Sequence, residues 1–326
     1  MLNVVKRPSR TVYDYIIIGS GSAGSTLAAR LAADSVKSVL LVEAGPSDRN
    51  IFIQMPAGLG IPLVQDRYNW KLFAEKEDFA ASEAGVYMPR GRVLGGSSSV
   101  NGMNWVRGNR ADYDRWSDSG LGNWSYAHCL PYFKRSERYE YGDPVYRGRS
   151  GPTKVVKTEV TNPLFPSFLQ ASCEYGLDLN PDHNAARQDG AHETQRNVAG
   201  GLRHSSSQAY LYDQPNRANL DILLETRCTN IEFSGGDAVR IHLVRRGESF
   251  YVDIAGEAIL SAGAIHSPQL LMLSGIGNAD MLTQQGIAMQ RHLPGVGDNL
   301  QDHLSLIHIS EPTRPRLISY AVFCLK

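Results

Sequence analysis

The feature that most constrains the fold is a glycine-rich turn between two apolar runs near the start of the chain. Tyr15-Ile16-Ile17-Ile18 is a continuous, mostly β-branched run, typical of a strand buried on both faces of a parallel sheet. Gly19-Ser20-Gly21-Ser22-Ala23-Gly24 follows at once, and small or apolar residues then recur at helical spacing as far as Ala32. A second apolar run, Val39-Leu40-Leu41-Val42, ends at Glu43. This order predicts a strand–helix–strand unit of a parallel α/β sheet.

The glycine spacing within that unit indicates a dinucleotide-binding turn. Gly19 permits a tight turn, Gly21 lets the backbone approach a pyrophosphate, and Gly24 allows the helix to pack closely on the strand. The free N–H groups at the start of the helix, around Ser22 and Ala23, would face the phosphates. A glycine-rich turn without a function is the alternative, but it does not account for the strand and helix that flank the motif.

Glu43 adds a second element of the same pattern. It lies about 20 residues after Gly24, where a carboxylate can accept hydrogen bonds from a ribose diol. An acidic group at this point disfavours a 2′-phosphate, so NADP is not expected. The unit alone leaves FAD and NAD open.

Composition excludes several function classes. Among the 326 residues, 20% are charged and 42% hydrophobic, close to the average for globular proteins. Thirty-three basic and 33 acidic residues give no net charge, so no nucleic-acid partner is expected. No run of eighteen apolar residues is present, so no transmembrane segment is expected. The four cysteines lie far apart, which predicts no metal site and a reducing, cytoplasmic location. A peripheral position at the inner membrane is the alternative location.

A second cluster of small residues, Gly91 to Trp105, separates FAD from NAD. Small residues in series let a backbone lie against a flat ligand, and the Ser and Asn side chains offer hydrogen bonds. A flexible linker is the alternative interpretation. The cluster also contains apolar residues that favour burial, namely Val93 and Leu94 near its start and Met103 near its end. A solvated linker would not contain them. An NAD-linked dehydrogenase is therefore disfavoured.

These motifs resemble the glucose–methanol–choline (GMC) family of flavin oxidoreductases. The first family signature is matched by Gly91 to Asn101, and the residues after it are most similar to the branch of choline dehydrogenase and related alcohol dehydrogenases. The other matching segments are Leu202 to Leu211, Gly263 to Gly277 with the second signature, and Gly297 to His303. The resemblance covers roughly residues 11 to 303.

The resemblance implies an α/β fold: a Rossmann-like FAD-binding domain of the GMC type with parts of an α+β substrate-binding domain. It implies an FAD-binding domain with a lid segment at residues 11–151, a substrate-side excursion at 152–200 and the rest of the FAD-binding domain at 201–303. By family position, the cofactor-binding residues are Gly19, Gly21, Ser22, Ala23, Gly24, Glu43, Ala44, Arg92, Val93, Gly95, Gly96, Asn101, Gly102, Met103, Asn104, Cys228, Ala262 and Gly263.

Within that set the resemblance assigns parts of FAD to separate segments. The glycines of the turn and Glu43 would hold the ADP half, while Val93 and residues 101–104 would line the flavin. Cys228, expected at the end of a strand over Ile222 to Thr226, would reach the adenine side through its backbone. Some family members attach FAD covalently through a His just before the signature Asn. This chain has Val100 there, so its FAD is expected to be non-covalent.

The activity implied is oxidation of a small primary alcohol to an aldehyde, with transfer of a hydride to flavin N5. The electron acceptor that reoxidises the flavin stays open between oxygen, a quinone and a carrier. The family carries its catalytic His, with a second His or Asn, near the end of a much longer chain. No counterpart is present, so no catalytic residue is assigned here and the chain is expected to be an inactive fragment. His303 is expected to be structural and His266 to be a cap or a surface residue.

Residues 304–326 depart from the family. They resemble translated sequencing-adaptor read-through, so we expect a non-native tail, with a genuine divergent C-terminus as the alternative. If that C-terminus is genuine, a non-catalytic flavin-binding protein becomes the alternative function. A hydrolase is not expected, because the chain contains no GxSxG motif.

Overall fold

The computed structural model describes residues 2–75, 85–215 and 217–302. The chain divides into two compact units, between Leu270 and Leu271. The predictions for His303 and for the tail at 304–326 lie outside the described residues and stay predictions.

The described helices are α1 Ser22–Leu31, α2 Ile51–Gln54, α3 Gly60–Val64, α4 Arg110–Asp118, α5 Tyr126–Ser136, α6 Leu164–Glu174, α7 Gly263–Leu273 and α8 Ala279–Gln284. The strands of the main sheet are β1 Val4–Val5, β2 Val12–Ile18, β3 Val39–Val42, β12 Leu220–Leu223, β13 Thr226–Ser234, β14 Asp237–Arg245 and β15 Glu248–Leu260. Short two-stranded ladders use β4 Leu72–Phe73, β5 Tyr87–Met88, β6 Glu137–Arg138, β7 Thr153–Lys154, β8 Val156–Lys157, β9 Gln195–Arg196, β10 Val198–Ala199, β11 Leu202–Arg203, β16 Ile276–Gly277 and β17 Arg291–His292.

The main sheet has the strand order β1-β12-β3-β2-β15-β14-β13. The first five strands run parallel, and β15, β14 and β13 then form an antiparallel meander. The predicted strand–helix–strand unit is confirmed as β2, α1 and β3. Because β2, β3, β12 and β15 are parallel, their carboxyl ends share one edge of the sheet, where ligands of open α/β sheets bind.

Apolar residues bury both faces of the parallel strands. One face packs Ile16, Ile18 and Leu40 against the meander. The other packs Ile17 and Leu41, with α1, in a second cluster. All these side chains are at most 5% exposed, which explains why the runs are continuously apolar rather than alternating.

β15 changes partner along its 13 residues. Its first half pairs with β14 and its second half with β2, with a register shift between Ile254 and Glu257. A Cβ on Gly256, inside the shift, would lie 2.5 Å from the Asp14 carbonyl oxygen, so the close approach requires glycine. β13, β14 and β15 form two consecutive hairpins, and β15 ends at Leu260.

The prediction of one strand from Ile222 to Thr226, with Cys228 at its end, is wrong. β12 ends at Leu223, and Cys228 lies inside β13. Glu225 has a φ of 54° and turns the chain between the two strands. The backbone N–H of Glu225 donates to the Gly45 carbonyl at 2.9 Å, so the turn is fixed from the loop after β3 rather than by local sequence.

A 3-10 turn at Gly122–Trp124 separates α4 from α5, and α6 begins directly after Pro163. In the second unit, β16 and β17 pair in parallel and Asn278 caps α8 through its side chain. The helices in the described ranges are all too short or too polar to span a bilayer.

A buried ion cluster lies beside the small ladders of residues 137–203. Glu137 Oε1 accepts from Arg107 Nη2 at 2.7 Å and from Arg147 Nε at 2.9 Å. Arg147 Nη1 also donates to Asp182 Oδ1 at 2.6 Å. Glu137 and Arg147 have fully buried side chains, so two arginines and two carboxylates balance one another away from water.

Candidate functional site

Segments from distant parts of the chain meet at the carboxyl edge of the parallel strands. Gly19 follows β2, Glu43 follows β3 and Ser261 follows β15. The Gly19 N–H donates to the Val42 carbonyl at 2.8 Å, and the Ser261 N–H donates to the Ile18 carbonyl at 2.8 Å. The edge therefore brings Gly19 and Glu43, which the sequence assigned to one cofactor site, close to Ser261, the residue before the assigned Ala262.

The glycine turn is closely packed on one side and open on the other. Gly19 has a φ of +98°, and a Cβ there would lie 2.5 Å from the Ser261 carbonyl oxygen. A Cβ on Gly24 would lie 1.8 Å from the Gly19 oxygen, as expected where a helix packs on a strand. Around Gly21, by contrast, no described atom lies within 4 Å of an added Cβ.

The start of α1 is left free for an external acceptor. Gly21 is the N-cap residue, and within the described ranges no side chain caps the helix and no acidic residue occupies its first turn. Ser22 and Ala23 are exposed. The unpaired N–H groups and the positive end of the helix dipole therefore suit a phosphate.

Glu43 is a buried carboxylate with a strong local hydrogen-bond set; Ala44 beside it is half-buried. Its Oε2 accepts from the Ser20 N–H at 3.0 Å and from the Ser20 hydroxyl at 2.6 Å. Its Oε1 accepts from the Gly45 N–H at 2.8 Å. Burial raises the pKa of Glu43, and the donors oppose that shift. A carboxylate offers about four lone-pair positions, so a further donor such as a ribose hydroxyl can still bind.

The second glycine cluster packs directly on the first. A Cβ on Gly96 would lie 2.7 Å from Gly21 Cα, and the Gly95 N–H donates to the Ser20 carbonyl at 3.0 Å. Val93 is fully buried, as is Leu94 beside it, so the predicted burial of these flanks is confirmed and the linker interpretation is wrong. Val93 therefore supports the segment from inside and has no exposed surface for a ligand.

Arg92 belongs to the second cluster, and its charge acts on Glu43. Its positive charge favours ionised Glu43 and so lowers the pKa of that group against the larger effect of burial. Its guanidinium carbon lies 5.5 Å from the Trp70 ring centroid. In the described part of the chain, Arg92 Nε is buried without a hydrogen-bond partner. A cation with an unused donor close to Glu43 suits an anionic ligand.

His266 lies inside α7 rather than at a cap position, and its side chain is half-buried rather than fully exposed. The Ser267 hydroxyl accepts from the Ala262 N–H at 3.1 Å instead. The imidazole of His266 is half-buried, with its centroid 4.4 Å from that of Trp70. Burial lowers its pKa, so the ring is neutral at neutral pH and packs as an aromatic group.

The turn after Val100 presents polar groups around a buried side chain. Asn101, Gly102 and Asn104 are exposed, whereas Met103 is 1% exposed. Met103 has a φ of +63°, and its N–H donates to Asn101 Oδ1 at 3.1 Å. A left-handed non-glycine residue costs on the order of 1–3 kcal/mol and clusters at functional sites. The Met103 side chain supports the turn from within, while its neighbours face outwards.

The remaining predicted residues lie at different distances from this edge. A Cβ added to Gly19 would lie 2.9 Å from Ala262 Cα, so Ala262 is next to the glycine turn. Gly263 is exposed at the start of α7. Cys228 lies two residues beyond Thr226, whose N–H donates to the Glu43 carbonyl at 2.9 Å. Burial raises the pKa of the Cys228 thiol to about 12, so the thiol is inert and only its backbone is a candidate for binding.

The sequence analysis did not identify three residues that support the site from its buried side. Ser20 bridges the glycine turn to Glu43 through the two hydrogen bonds given above. Asp48 is buried and accepts from the Ser207 and Tyr212 hydroxyls at 2.5 and 2.9 Å. Arg203 is 4% exposed and donates to Asn101. The segment 202–211 was matched to the family, but a lone basic residue on a short strand gives no sign of burial.

Among the residues that the structure describes, no group of three or more His, Cys, Asp or Glu side chains is arranged to hold a metal ion.

Comparison with known proteins identifies the family. The sequence profile of the GMC oxidoreductase family matches residues 13–305. Mitochondrial choline dehydrogenase of Homo sapiens is 45% identical over 314 residues, which are 94% of this chain and 53% of that protein. Oxygen-dependent choline dehydrogenase of Photobacterium profundum is 44% identical, over 91% of this chain and 52% of that protein. The chain spans about half the length of the curated relatives it matches.

Solved structures show the same fold. Pyridoxine 4-oxidase from Mesorbium loti is similar with a TM-score of 0.81 and 34% identity, over 86% of this chain and 55% of that one. An FAD-dependent oxidoreductase from Chaetomium thermophilum is similar with a TM-score of 0.82 and 31% identity, over 89% of this chain and 52% of that one.

Proposed function

The chain belongs to the GMC oxidoreductase family, and from that premise we propose that it is the FAD-binding part of an enzyme that oxidises a primary alcohol to an aldehyde. One observation carries the proposal: the glycine turn at 19–24, Glu43 and the cluster at 91–101 converge on one edge of the sheet. The family membership supports FAD over NAD. The names of the curated relatives support choline or a similar small alcohol as substrate.

The residues at this edge fit the ADP half of FAD. The uncapped N-terminus of α1 and the open space at Gly21 would hold the pyrophosphate. Glu43 would accept from one ribose hydroxyl through its remaining lone pair, and Arg92 would offset the phosphate charge. The backbone of β13 near Cys228 would border the adenine.

The flavin half would lie against the exposed turn. Asn101, Gly102 and Asn104 offer small or polar surfaces, and the start of α7 at Ala262 and Gly263 would border the same region. Val93 and Met103 would hold these segments in place from inside. Val100 is 2% exposed and offers no nucleophile, which supports non-covalent binding.

When bound, FAD supplies the redox chemistry by accepting a hydride from the alcohol carbon. The residues of this chain would bind and orient the cofactor. None of them matches the family's catalytic His pair, so we propose that the 326-residue chain alone has no turnover. The alternative, a flavin-binding protein without catalysis, shares the same site and the same cofactor.

FAD titration of the purified chain tests the proposal. We expect FAD to bind in a 1:1 complex, with perturbed flavin absorbance, and choline with an artificial electron acceptor to give no turnover. Failure to bind FAD would contradict the cofactor assignment, and turnover would contradict the inactive fragment. A full-length relative assayed beside it provides the positive control for activity.

The enzyme and the non-catalytic flavin-binding protein can be distinguished by adding the C-terminal half of a relative. A chain extended with the C-terminal half of a curated relative should gain alcohol oxidation if this chain is part of an enzyme. FAD binding that persists without any gain of turnover would favour the non-catalytic alternative.

A further inference from the structure

The guanidinium of Arg203 is buried beside the candidate site, and no carboxylate of the described residues serves as its counter-ion. Arg203 as a whole is only 4% exposed to solvent. Nε donates to the Ile53 carbonyl at 2.9 Å, and Nη1 donates to the Ser98 carbonyl at 3.2 Å. Across residues 2–75, 85–215 and 217–302, no carboxylate forms an ion pair with Arg203, and its Nη2 is buried without any partner.

This arrangement is unlike that of the other deeply buried arginines. Arg107 and Arg147 are as buried as Arg203, and both pair with Glu137. An unpaired charge away from water is costly, and proteins normally pair it or bind a ligand against it. Burial lowers the pKa of Arg203 to about 10, which still leaves the group charged at neutral pH.

Arg203 is attached to the turn that the proposed function assigns to the flavin. Nη1 donates to the Asn101 carbonyl at 2.7 Å and to Asn101 Oδ1 at 3.0 Å. Its bond to Ser98 holds the same segment that packs Gly96 on Gly21. One nitrogen therefore positions the turn, while the positive charge and the free Nη2 are not used by any described group.

We propose that Arg203 is a positioning residue for the flavin turn, and that its unbalanced charge stabilises the reduced, negatively charged state of the bound cofactor. The inference rests on the proposed function. On reduction, the oxidised flavin takes up two electrons from the reductant and one proton from water, and so gains one negative charge. A fixed cation in a site of low dielectric constant favours that product over the neutral oxidised ring.

The test is the midpoint potential of FAD in the purified chain, measured with dithionite against a reference dye, which requires no catalytic His. R203Q removes the charge and keeps an amide donor, whereas R203K keeps the charge with fewer donors. We expect R203Q to shift the equilibrium at least tenfold toward oxidised flavin, which is about 30 mV for two electrons. R203K should stay within about threefold of the wild type. R107Q, which removes a paired buried arginine, should leave the potential unchanged.

The outcomes separate this inference from the proposed function. If the wild-type chain binds no FAD, the proposed function fails and this inference fails with it. If the chain binds FAD, and folded R203Q has the wild-type potential, only the role of Arg203 is overturned.

A second measurement applies if R203Q does not fold. In mildly acidic buffer, where free reduced flavin is neutral, the wild-type potential should fall by about 30 mV per pH unit, because one proton accompanies two electrons. A fall of about 59 mV per pH unit, with two protons taken up, would overturn the inference.

Discussion

Gly21 and Gly96 lie so close that a Cβ on Gly96 would be 2.7 Å from Gly21 Cα. The two residues come from glycine clusters separated by 75 positions of sequence, and their backbones touch where a pyrophosphate would bind. Neither cluster alone identifies the cofactor. Their contact joins the dinucleotide turn to the segment assigned to the flavin, and it tolerates no side chain between them.

G96A should therefore open the contact and weaken FAD binding. The added methyl group meets the Gly21 backbone, which cannot move as a flexible side chain can, and we expect at least a tenfold higher Kd. G200A is the matched control: Gly200 has a φ of +56° against +54° for Gly96, and no described atom lies within 4 Å of its added Cβ. Both variants carry the left-handed strain of about 1 kcal/mol. Equal FAD affinities in the two variants would contradict the predicted contact.

Glu43 should make FAD affinity depend on pH. The ribose hydroxyls need an ionised acceptor, so affinity should fall as the pH is lowered through the pKa of Glu43, which burial has raised above its usual value. E43Q should bind FAD about tenfold more weakly at neutral pH and lose this pH dependence. Fluorescence titrations at several pH values measure both effects. A pH profile in E43Q identical to that of the wild type would assign the titration to another group.

The stability of the FAD-free chain should depend on pH in the opposite direction to FAD affinity. Because the pKa of Glu43 is higher in the folded chain than in the unfolded chain, folding without FAD takes up a proton in this range. The contribution of Glu43 to stability is therefore fully present below the unfolded pKa and is lost as the pH rises through the folded pKa. Urea unfolding of the FAD-free chain should show a smaller pH dependence in E43Q between these two pKa values.

FAD should be released completely when the chain is denatured. Val100 occupies the position where some family members carry a linking His, and it packs in an apolar cluster with Ile53, Tyr68 and Val93. Acid precipitation of the loaded chain should leave all flavin in the supernatant, and a denaturing gel should show no fluorescent band. Flavin that remains with the precipitated protein would mean that another side chain forms the bond.

The parts of the fold that follow from local patterns could be predicted from the sequence. β3 occupies the predicted residues Val39–Val42, and Glu43 follows it as expected, because a buried strand needs a continuous apolar run. The glycine turn could be assigned for the same reason. Its residues are constrained by the strand before it and the helix after it, all within one short stretch of sequence.

Features that depend on distant segments could not be predicted. Cys228 was misplaced because the turn at Glu225 is fixed by a hydrogen bond to Gly45, far away in the chain. Val93 was expected to line the flavin but is covered by its apolar cluster. The burial of Arg203 likewise comes from Ile53 and Asn101, at 150 and 102 residues' separation.

The buried ion cluster should be a main determinant of stability. E137Q leaves the cations of Arg107 and Arg147 with one carboxylate fewer, in a region where both side chains are at most 5% exposed. Breaking a buried pair by removing one partner costs about 3–5 kcal/mol. E248Q is the matched control, because the Arg7–Glu248 pair is more than 70% exposed and such pairs contribute about 0–1 kcal/mol. Urea unfolding of the two variants measures the difference. A loss below about 1 kcal/mol in E137Q would mean that water or a rearranged Asp182 compensates the two arginines, and that the cluster is less dry than its burial indicates.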